Sequence, residues 1–335
     1  MKRSLRDSIL FSLLLLITFS GCSTREVYKP KLLDTQWNKS EKSGFMIVDT
    51  SSNVALLNDK SVLTTHGVID VKIKSNYRLI SQSEDWIISA SLDGNLSLLS
   101  TNNALLNKYI ELKKTVAGAS VQGNELAVLF ADNEIALYDL TTKNILFKEQ
   151  GGKFLASDSR IVNPYFLHGL VLFATLDGKI IFVNDTQKKK LRTVIVSSKD
   201  QFNNIISLQV IQNKIIAVTS YALLSIAKKE LHSKYDIRNI AYDKDTLYIA
   251  TKQGEIISLT PELQVISKIK FPFAHFYGMI SNRDKLYILE KEGYMIVVDK
   301  KSFDYTVHAV DFDSDGFVFI GDKKFFINNI TISIE

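Results

Sequence analysis

Cysteine is almost missing from this sequence, and its scarcity excludes one means of holding a fold together. Cys22 is the only cysteine among 335 residues, so the chain cannot form an internal disulfide. Helical periodicity is also nearly absent beyond the segment 1–21, while runs of Val, Ile, Leu and Phe recur along the chain. The sequence therefore predicts an all-β protein, and its 46% of hydrophobic residues is enough to bury a large core.

The motifs that mark common catalytic sites are missing as well. The sequence has no Gly-x-Ser-x-Gly elbow, no glycine-rich phosphate loop and no His-Glu-x-x-His pair. No two histidines have the close spacing of metal ligands, since all five are widely separated along the chain: His66, His168, His232, His275 and His308. We therefore predict that the protein is not an enzyme and needs no cofactor. A nucleophile, a histidine and an acid that meet only in the fold remain an alternative.

Positive charge is modest and dispersed. The formal net charge is +5, and removal of residues 1–21, which hold three basic residues and one acidic residue, leaves +3. The densest basic cluster is QKKKLR at 187–192, directly after a predicted strand, where a solvated turn explains it. The sequence therefore indicates no nucleic-acid partner.

The N-terminus has the pattern of a secretory signal. Lys2, Arg3 and Arg6 precede an apolar run at 9–19, and small residues follow. This order of charged, apolar and small residues is typical of a signal peptide, and the run is too short for a transmembrane helix. We therefore predict a signal peptide at 1–21.

Cys22 stands where a lipoprotein signal would be cut. The stretch FSGC at 19–22 resembles a bacterial lipobox, in which cleavage leaves an acylated cysteine as the new N-terminus. We expect Cys22 to carry the lipid, palmitate included, that anchors the protein to a membrane. The polar residues 22–41 would then serve as a tether. An ordinary signal peptide that leaves Cys22 as a free thiol is the alternative.

Pairs of apolar runs joined by a tight turn recur along the chain. In GLVLFATLDGKIIFVND at 169–185 the turn is Asp177–Gly178, and Asp-Gly between β-formers is a strong hairpin signal because both residues tolerate positive φ. Seven related stretches, the first four of them stronger, lie at 85–100, 124–140, 245–261, 284–300, 42–59, 213–227 and 314–330. The chain therefore repeats one hairpin unit eight times.

The spacing of the turns predicts the architecture. Successive turns at Gly94, Asn133 and Gly178, and at Gly254 and Gly293, are 39, 45 and 39 residues apart. A strand-rich period near 40 with a hairpin in each unit is typical of a β-propeller. We predict a propeller at 42–335 with eight four-stranded blades. Seven blades remain an alternative, because the first and last copies are weak and one could complete the other.

The best copy of the repeat carries a family resemblance. NEIALYDLTTKNILFK at 133–148, with Asp139, Thr141 and Thr142 in its second turn, resembles the quinoprotein-type or PQQ-like repeat. WD repeats fit less well, since no Gly-His and Trp-Asp pair occurs. A lipid-anchored propeller of this type without other domains is similar to the BamB family of assembly lipoproteins. One departure is that repeats of that family usually carry a Trp after the turn, whereas this chain has only Trp37 and Trp86.

The resemblance implies a function. Members of the BamB family are non-catalytic periplasmic scaffolds in outer-membrane β-barrel assembly, so it implies an outer-membrane lipoprotein that faces the periplasm. Its partners would be subunits of the β-barrel assembly machinery and unfolded outer-membrane proteins. Two alternatives remain. One is a ligand-binding or quinoprotein-like enzymatic propeller with a site at the central funnel, although the single cysteine excludes the vicinal disulfide of many such enzymes. The other is a surface-exposed lipoprotein that binds an extracellular partner.

The stretch GGKFLASDSRIVNP at 151–164 is an unusually long connection. A comparable link in the BamB family carries Ser residues and an Arg ahead of a Pro, and there it contacts the barrel-assembly subunit. The resemblance implies that Leu155, Ser157 and Arg160 contact a partner. Long connections in compact domains are often functional, which agrees with this assignment.

Two further stretches are candidate sites. DFDSDGFVFIGD at 311–322 places Asp311, Asp313 and Asp315 at alternate positions before a glycine, as in a calcium loop, although a polar turn between blades is the alternative. FPFAHFYG at 271–278 supplies an aromatic cluster that would form an exposed partner patch or pack between blades: Phe271, Phe273, Phe276 and Tyr277.

Overall fold

The structure is a computed structural model that describes residues 26–198, 201–313 and 315–335. The predicted signal peptide and Cys22 lie outside these residues. The strands form eight antiparallel sheets of four strands each. The chain is an eight-bladed β-propeller, as predicted, and the alternative of seven blades is wrong. The described residues contain one short 3₁₀ helix, Ala104–Leu106, and no α-helix.

Blades 1 to 4 follow one another along the chain, each with its strands in sequence order. Their strands are β2 (Ile47–Thr50), β3 (Val54–Leu57), β4 (Val62–Thr64), β5 (Gly67–Ile69); β6 (Arg78–Ser83), β7 (Trp86–Ala90), β8 (Asn95–Ser100), β9 (Lys108–Glu111); β10 (Val116–Gln122), β11 (Glu125–Phe130), β12 (Glu134–Asp139), β13 (Ile145–Gln150); and β14 (Tyr165–Leu167), β15 (Leu170–Ala174), β16 (Lys179–Asn184), β17 (Lys189–Ile195).

Blades 5 to 7 follow the same pattern, and blade 8 has three strands from the C-terminal end of the chain. Their strands are β18 (Ile205–Ile211), β19 (Lys214–Thr219), β20 (Ala222–Ile226), β21 (Glu230–Lys234); β22 (Ile237–Tyr242), β23 (Leu247–Thr251), β24 (Glu255–Leu259), β25 (Val265–Lys270); β26 (Phe276–Asn282), β27 (Lys285–Glu290), β28 (Tyr294–Asp299), β29 (Tyr305–Ala309); and β30 (Val318–Ile320), β31 (Lys324–Ile327), β32 (Ile330–Ser333).

The N-terminal part of the chain closes the ring. Strand β1 (Ser40–Lys42) pairs antiparallel with β32 and forms the outermost strand of blade 8. The propeller therefore begins at Ser40, slightly before the predicted boundary at 42. The first and last parts of the chain thus share one sheet, and the ladder between β1 and β32 holds them together.

The core lies between the blades. Each of the eight interfaces between neighbouring blades in the described structure holds one hydrophobic cluster. Between blades 2 and 3, for example, Ile88 and Leu98 pack with Val128. Phe319 of blade 8 packs with Leu57 of blade 1 across the closing interface. Each blade is thus covered on both faces, which explains why its middle strands are apolar at nearly every position.

Burial falls from the middle strands to the outer strands. The second strand of blade 3, β11, is buried at five successive positions. The outermost strand of the same blade, β13, has no buried residue. A sheet packed on two sides requires apolar side chains in both directions, whereas an outer strand is partly solvated. In blades 2 to 7 the predicted hairpins correspond to the second and third strands.

The first and last predicted hairpins differ in register from the others. The stretch 42–59 contains β2 and β3, and 314–330 contains β30 and β31, so each pairs the first and second strands of its blade. In blade 8 the turn between the second and third strands is Asn328–Asn329, and Asn328 takes the positive φ of 51°. Neither that turn nor the one at 58–61 in blade 1 contains the glycine found in most of the stronger copies.

The segment predicted as a tether lies against the propeller where the structure describes it. Tyr28 is buried and makes edge-to-face contacts with Phe271 and Tyr294. Farther along, the Trp37 backbone N–H donates to the Ala309 carbonyl at 2.7 Å, and the Trp37 indole N–H donates to the Ser333 carbonyl at 3.0 Å. Residues 26–39, the strap, therefore run along blades 6 and 7 and deliver β1 to blade 8.

Gly178 offers a direct test of the hairpin geometry. Its φ is 82°, and a Cβ there would lie 2.6 Å from the Ser197 carbonyl oxygen and also collide with the Asn203 amide. Gly169 has a similar φ of 79° but nothing within 4 Å of its Cβ position. We expect Gly178→Ala to lower the free energy of unfolding by about 1 kcal/mol more than Gly169→Ala, because only the first adds a steric cost to the cost of positive φ. Chemical denaturation of both variants measures the difference, and equal losses would show that the close approach carries no energy.

Candidate partner-binding face

Strand direction gathers the candidate loops onto one side of the propeller. In an antiparallel blade the chain leaves the second and fourth strands at the same end. The turns between second and third strands and the links between blades therefore share one side, the link face. All the candidate segments within the described residues lie on it or at its edge. Its longer links are 70–77, 151–164, 196–198 with 201–204, 271–275, and 310–313 with 315–317.

The long link, residues 151–164, begins on the hairpin turn of blade 3. The Gly151 N–H donates to the Asn133 carbonyl at 2.9 Å. The buried Asn133 amide donates in turn to the Gly152 carbonyl at 2.8 Å and to the Asp177 carboxylate at 2.9 Å. Asn133 also adopts the positive φ of the turn, 68°. One asparagine thus joins the turns of blades 3 and 4 to the start of the long link.

The middle of the long link is held by charge. The Arg160 guanidinium makes a two-point contact with Asp158, with Nε 2.8 Å from Oδ1, and donates through Nη1 to the Arg238 carbonyl on β22. Asn204 accepts the Asp158 N–H at 2.6 Å and donates to the Arg160 carbonyl at 3.0 Å. Burial alone would raise the pKa of Asp158, but its pairing with Arg160 holds that pKa below the ordinary value. Arg160 is therefore a brace within the fold and not a fully solvated side chain.

The end of the long link reaches the opposite side of the channel. The Asn163 amide donates to the Ser52 hydroxyl of blade 1 at 2.7 Å. Its Oδ1 accepts the Ala119 N–H of blade 3 at 3.2 Å, beside Gly118. Between Gly151 and Asn163 the link thus contacts blades 1, 3 and 6. The middle of the link, which contacts the start of β22 through Arg160, therefore lies across the mouth of the central channel. Its end at Asn163 enters the channel, because Ser52 lies in the β2–β3 turn, away from the link face.

The three predicted contact residues of the link point in different directions. Leu155 is 75% exposed and borders a groove of about 300 Å³ with Lys153 and Ile195. Ser157 lines a smaller cavity of about 180 Å³ between the link and the inner strands of blades 1 to 3. Arg160 is half-exposed and engaged as described above. The structure thus presents Leu155 outward as an apolar contact on a fixed support.

The aromatic cluster divides between core and surface. Phe271 and Phe276 are almost completely buried and pack edge to face with centroids 6.2 Å apart, so they are not part of an exposed patch. Tyr277 is half-buried against His275. Phe273, with a φ of 65°, is 60% exposed. Of the two alternatives, packing between blades 6 and 7 therefore holds for Phe271 and Phe276, and Phe273 is the one phenylalanine of this stretch that projects from the surface.

The acidic stretch near the C-terminus forms a polar turn. The Asp315 N–H donates to the Asp313 carboxylate at 3.1 Å, and the Asn328 amide binds the Asp315 carbonyl and the Phe317 N–H. Nowhere in the described residues do three His, Cys, Asp or Glu side chains come together as metal ligands, so Asp311, Asp313 and Asp315 are not gathered into the predicted calcium site. In the sequence, carboxylates at alternate positions suggest a set of metal ligands. In the structure the backbone turns around Asn328, and the three carboxylates do not come together.

A buried acid supports the turn of blade 7. Glu290 has no exposed surface, and its carboxylate accepts the N–H groups of His275 at 3.0 Å and Glu292 at 2.7 Å. Burial dominates over these hydrogen bonds and raises the pKa of Glu290 from 4.5 to about 7. Blades 4 and 6 use Thr175 and Thr251 at the corresponding position, where a hydroxyl accepts the turn N–H. We therefore expect this turn to be sensitive to pH.

The described residues include no helix of the length and hydropathy needed to cross a membrane.

Comparisons of sequence show clear relatives. No protein-family model matches the chain. The chain is similar to plasminogen-binding protein PgbB from Helicobacter pylori strain J99, with 31% identity over 96% of this chain, and to PgbB from strain 26695, with 30% identity over the same share. The chain spans 66% of the length of these relatives.

Comparisons of structure identify the fold. The chain superimposes on BamB from Moraxella catarrhalis with a TM-score of 0.67, over 87% of this chain and 98% of that chain. The fold is that of BamB. The C-terminal WD40 domain of Sif2 matches with a TM-score of 0.65. Since both identities are 12%, these likenesses concern the fold alone. The BamB-like propeller predicted from the repeat is thus confirmed.

Sequence reasoning missed two parts of this face. The strap and β1 carry no hairpin signal, because β1 pairs with a strand at the other end of the chain. The bracing of the long link by Asp158, Arg160 and Asn204 was also missed. The pattern Asp-Ser-Arg does suggest a local ion pair, but nothing in the sequence indicates the contacts of Arg160 with Arg238.

Proposed function

We propose that this BamB-like propeller is a non-catalytic scaffold lipoprotein of the outer membrane, anchored through Cys22 and facing the periplasm. In this proposal the link face binds a subunit of the β-barrel assembly machinery, and unfolded outer-membrane proteins are its clients. The observation that carries the proposal is the long link, which is braced across the channel mouth and presents Leu155 at 75% exposure. An apolar side chain on a rigid support loses little entropy on binding, which favours a protein contact.

The propeller fold that the chain shares with BamB agrees with a scaffold role. The chain matches 98% of the length of that BamB, so the two share the propeller fold. The work of such a scaffold is geometric, because it holds a partner domain at a fixed position and needs no reaction centre. Within the proposed interface, Leu155 supplies the apolar contact, while Ser157 and Arg160 fix the shape of the link.

A second candidate function rests on the sequence relatives. Proteins named for plasminogen binding are 31% and 30% identical to this chain over 96% of its length. This observation favours a surface-exposed lipoprotein that binds an extracellular protein such as plasminogen. The two candidates differ in the side of the outer membrane on which the propeller stands, and so in the partners it can meet.

Replacement of Leu155 by Asp is expected to lower capture of the assembly subunit by about tenfold or more, as for a hot-spot residue that a charge replaces. The matched control is Leu105→Asp, because Leu105 is 93% exposed on the side opposite the link face. Both variants are purified from native membranes in mild detergent, and the proteins that co-purify are quantified by mass spectrometry. Equal capture by the two variants would exclude the link as the contact site. Capture of added plasminogen by the purified wild type, with no assembly subunit, would favour the second candidate.

A further inference from the structure

The strap fixes where the chain leaves the propeller toward Cys22. Tyr28 is buried between Phe271 of blade 6 and Tyr294 of blade 7. The short segment from Cys22 to Tyr28 spans at most about 21 Å when fully extended. A compact domain of about 300 residues has a radius of gyration of about 19 Å. A lipid on Cys22 therefore cannot reach around the propeller, and the membrane must lie beside blades 6 and 7.

The surface at this point is basic. Two adjoining grooves, of about 570 and 620 Å³, lie on either side of Phe273 and Lys270. Five lysines line them, against the two carboxylates of Glu26 and Glu292: Lys29, Lys31, Lys252, Lys270 and Lys291. Among the residues that the structure describes, none of these five amino groups forms an ion pair with a carboxylate. These lysines and Phe273 are called the rim patch.

The rim patch also presents apolar side chains to solvent. Phe273 is 60% exposed and Val27 is 38% exposed, and both line the same grooves as Lys270. Farther along the strap, Leu32 is 82% exposed. An aromatic ring that projects among lysines is typical of a protein surface that binds a membrane. There the ring inserts at the level of the lipid headgroups and the lysines bind phosphate.

We propose that the rim patch lies on the anionic phospholipid surface of the membrane that holds the anchor, and that it sets the orientation of the propeller. This inference rests on the proposed acylation of Cys22. Lysines near an anionic surface contribute about 1 kcal/mol each, or about fivefold in the population of the bound orientation. The patch acts as a second membrane signal beside the lipid. With blades 6 and 7 on the membrane, blades 2 and 3 point away from it.

The single cysteine permits a direct test in the full-length mature protein. Acylation on the Cys22 sulfur leaves an introduced cysteine as the only free thiol, so a fluorophore can be placed at one position. The test position is Phe273→Cys, and the matched control is Ile145→Cys, an apolar residue 53% exposed on the outer strand of blade 3. The labelled proteins are reconstituted into vesicles that contain headgroup spin-labelled lipid, with phosphatidylglycerol or with phosphatidylcholine as the neutral comparison.

We expect stronger quenching at 273 than at 145 in vesicles with phosphatidylglycerol. The triple change Lys29→Gln, Lys31→Gln and Lys270→Gln is expected to lower the quenching at 273 at least about twofold, since each lost lysine weakens the bound orientation about fivefold. The control triple, Lys228→Gln, Lys229→Gln and Lys244→Gln, removes exposed lysines from the side opposite the link face and is expected to leave the quenching unchanged.

Three results would overturn the proposal, and they differ in what else they affect. Equal quenching at the two positions, with Cys22 acylated, would contradict the orientation but leave the anchor and the scaffold function intact. If quenching at 273 is the same with phosphatidylglycerol as with phosphatidylcholine, and the lysine substitutions do not alter it, the result would contradict the role of charge. An unmodified Cys22, seen by mass spectrometry of the N-terminal peptide, would contradict the anchor and the orientation together.

Discussion

Glu290→Gln is expected to remove a loss of stability that the wild-type protein undergoes as the pH rises from about 4.5 to about 7. The pKa of Glu290 is raised from 4.5 to about 7 in the folded protein because the carboxyl group is buried. Below pH 4.5 the group is protonated in both states. Between the two values the unfolded chain releases its proton while the folded protein keeps it, so unfolding becomes more favourable. The loss amounts to about 3 kcal/mol and levels off above pH 7.

The measurement is the free energy of unfolding from urea titrations between pH 4 and pH 8. The wild type should lose stability across this window, and Glu290→Gln should lose about 3 kcal/mol less, since an amide does not titrate. Glu292→Gln is the matched control, because this exposed neighbour lies in the same turn and its removal leaves the buried carboxyl in place. Identical pH profiles for the wild type and Glu290→Gln would show that Glu290 ionises normally in the fold.

Arg160→Ala is expected to loosen the long link and to weaken partner binding at the same time. The substitution leaves the Asp158 carboxylate, whose side chain is 18% exposed, without its guanidinium. Removing one partner of a fully buried pair costs about 3–5 kcal/mol, and this site is partly solvated, so we expect a loss of about 2 kcal/mol in the free energy of unfolding. Binding should weaken by about 1–3 kcal/mol, as for an interface hot spot.

A double-mutant cycle separates the two effects. Asp158→Ala, Arg160→Ala and the double variant are compared by chemical denaturation and by titration with the partner. We expect the stability losses to be non-additive by at least about 0.5 kcal/mol, because the residues are in direct contact. Additive losses would mean that the pair does not brace the link. Full partner affinity in folded Arg160→Ala would mean that the shape of the link is unimportant for binding.

The blades were predictable because each is encoded locally. The second and third strands of a blade are adjacent in sequence. The turn between them, such as Asp177–Gly178, needs a positive φ, and a residue type that tolerates positive φ is visible in the sequence. Burial on both faces is likewise visible as unbroken apolar runs such as that of β11. The blade count followed from these local signals alone.

The strap and the braced link were not predictable in the same way. Strand β1 is short and polar, and its partner β32 lies at the other end of the chain. Asn163 likewise binds Ser52, far away in the sequence, through side chains that are common in any loop. The sequence left the place of Phe271 and Phe276 open for the converse reason, because an aromatic cluster has the same composition whether an interface between blades buries it or a partner does.

Photo-crosslinking in native membranes is the most direct test of the central claim, that the link face binds a partner protein. A photoreactive amino acid replaces Leu155 in one variant and Leu105, on the opposite side, in another. We predict a discrete crosslinked product from position 155, containing a subunit of the β-barrel assembly machinery, and none from position 105. Products of equal yield from both positions, or no product from position 155, would contradict the claim.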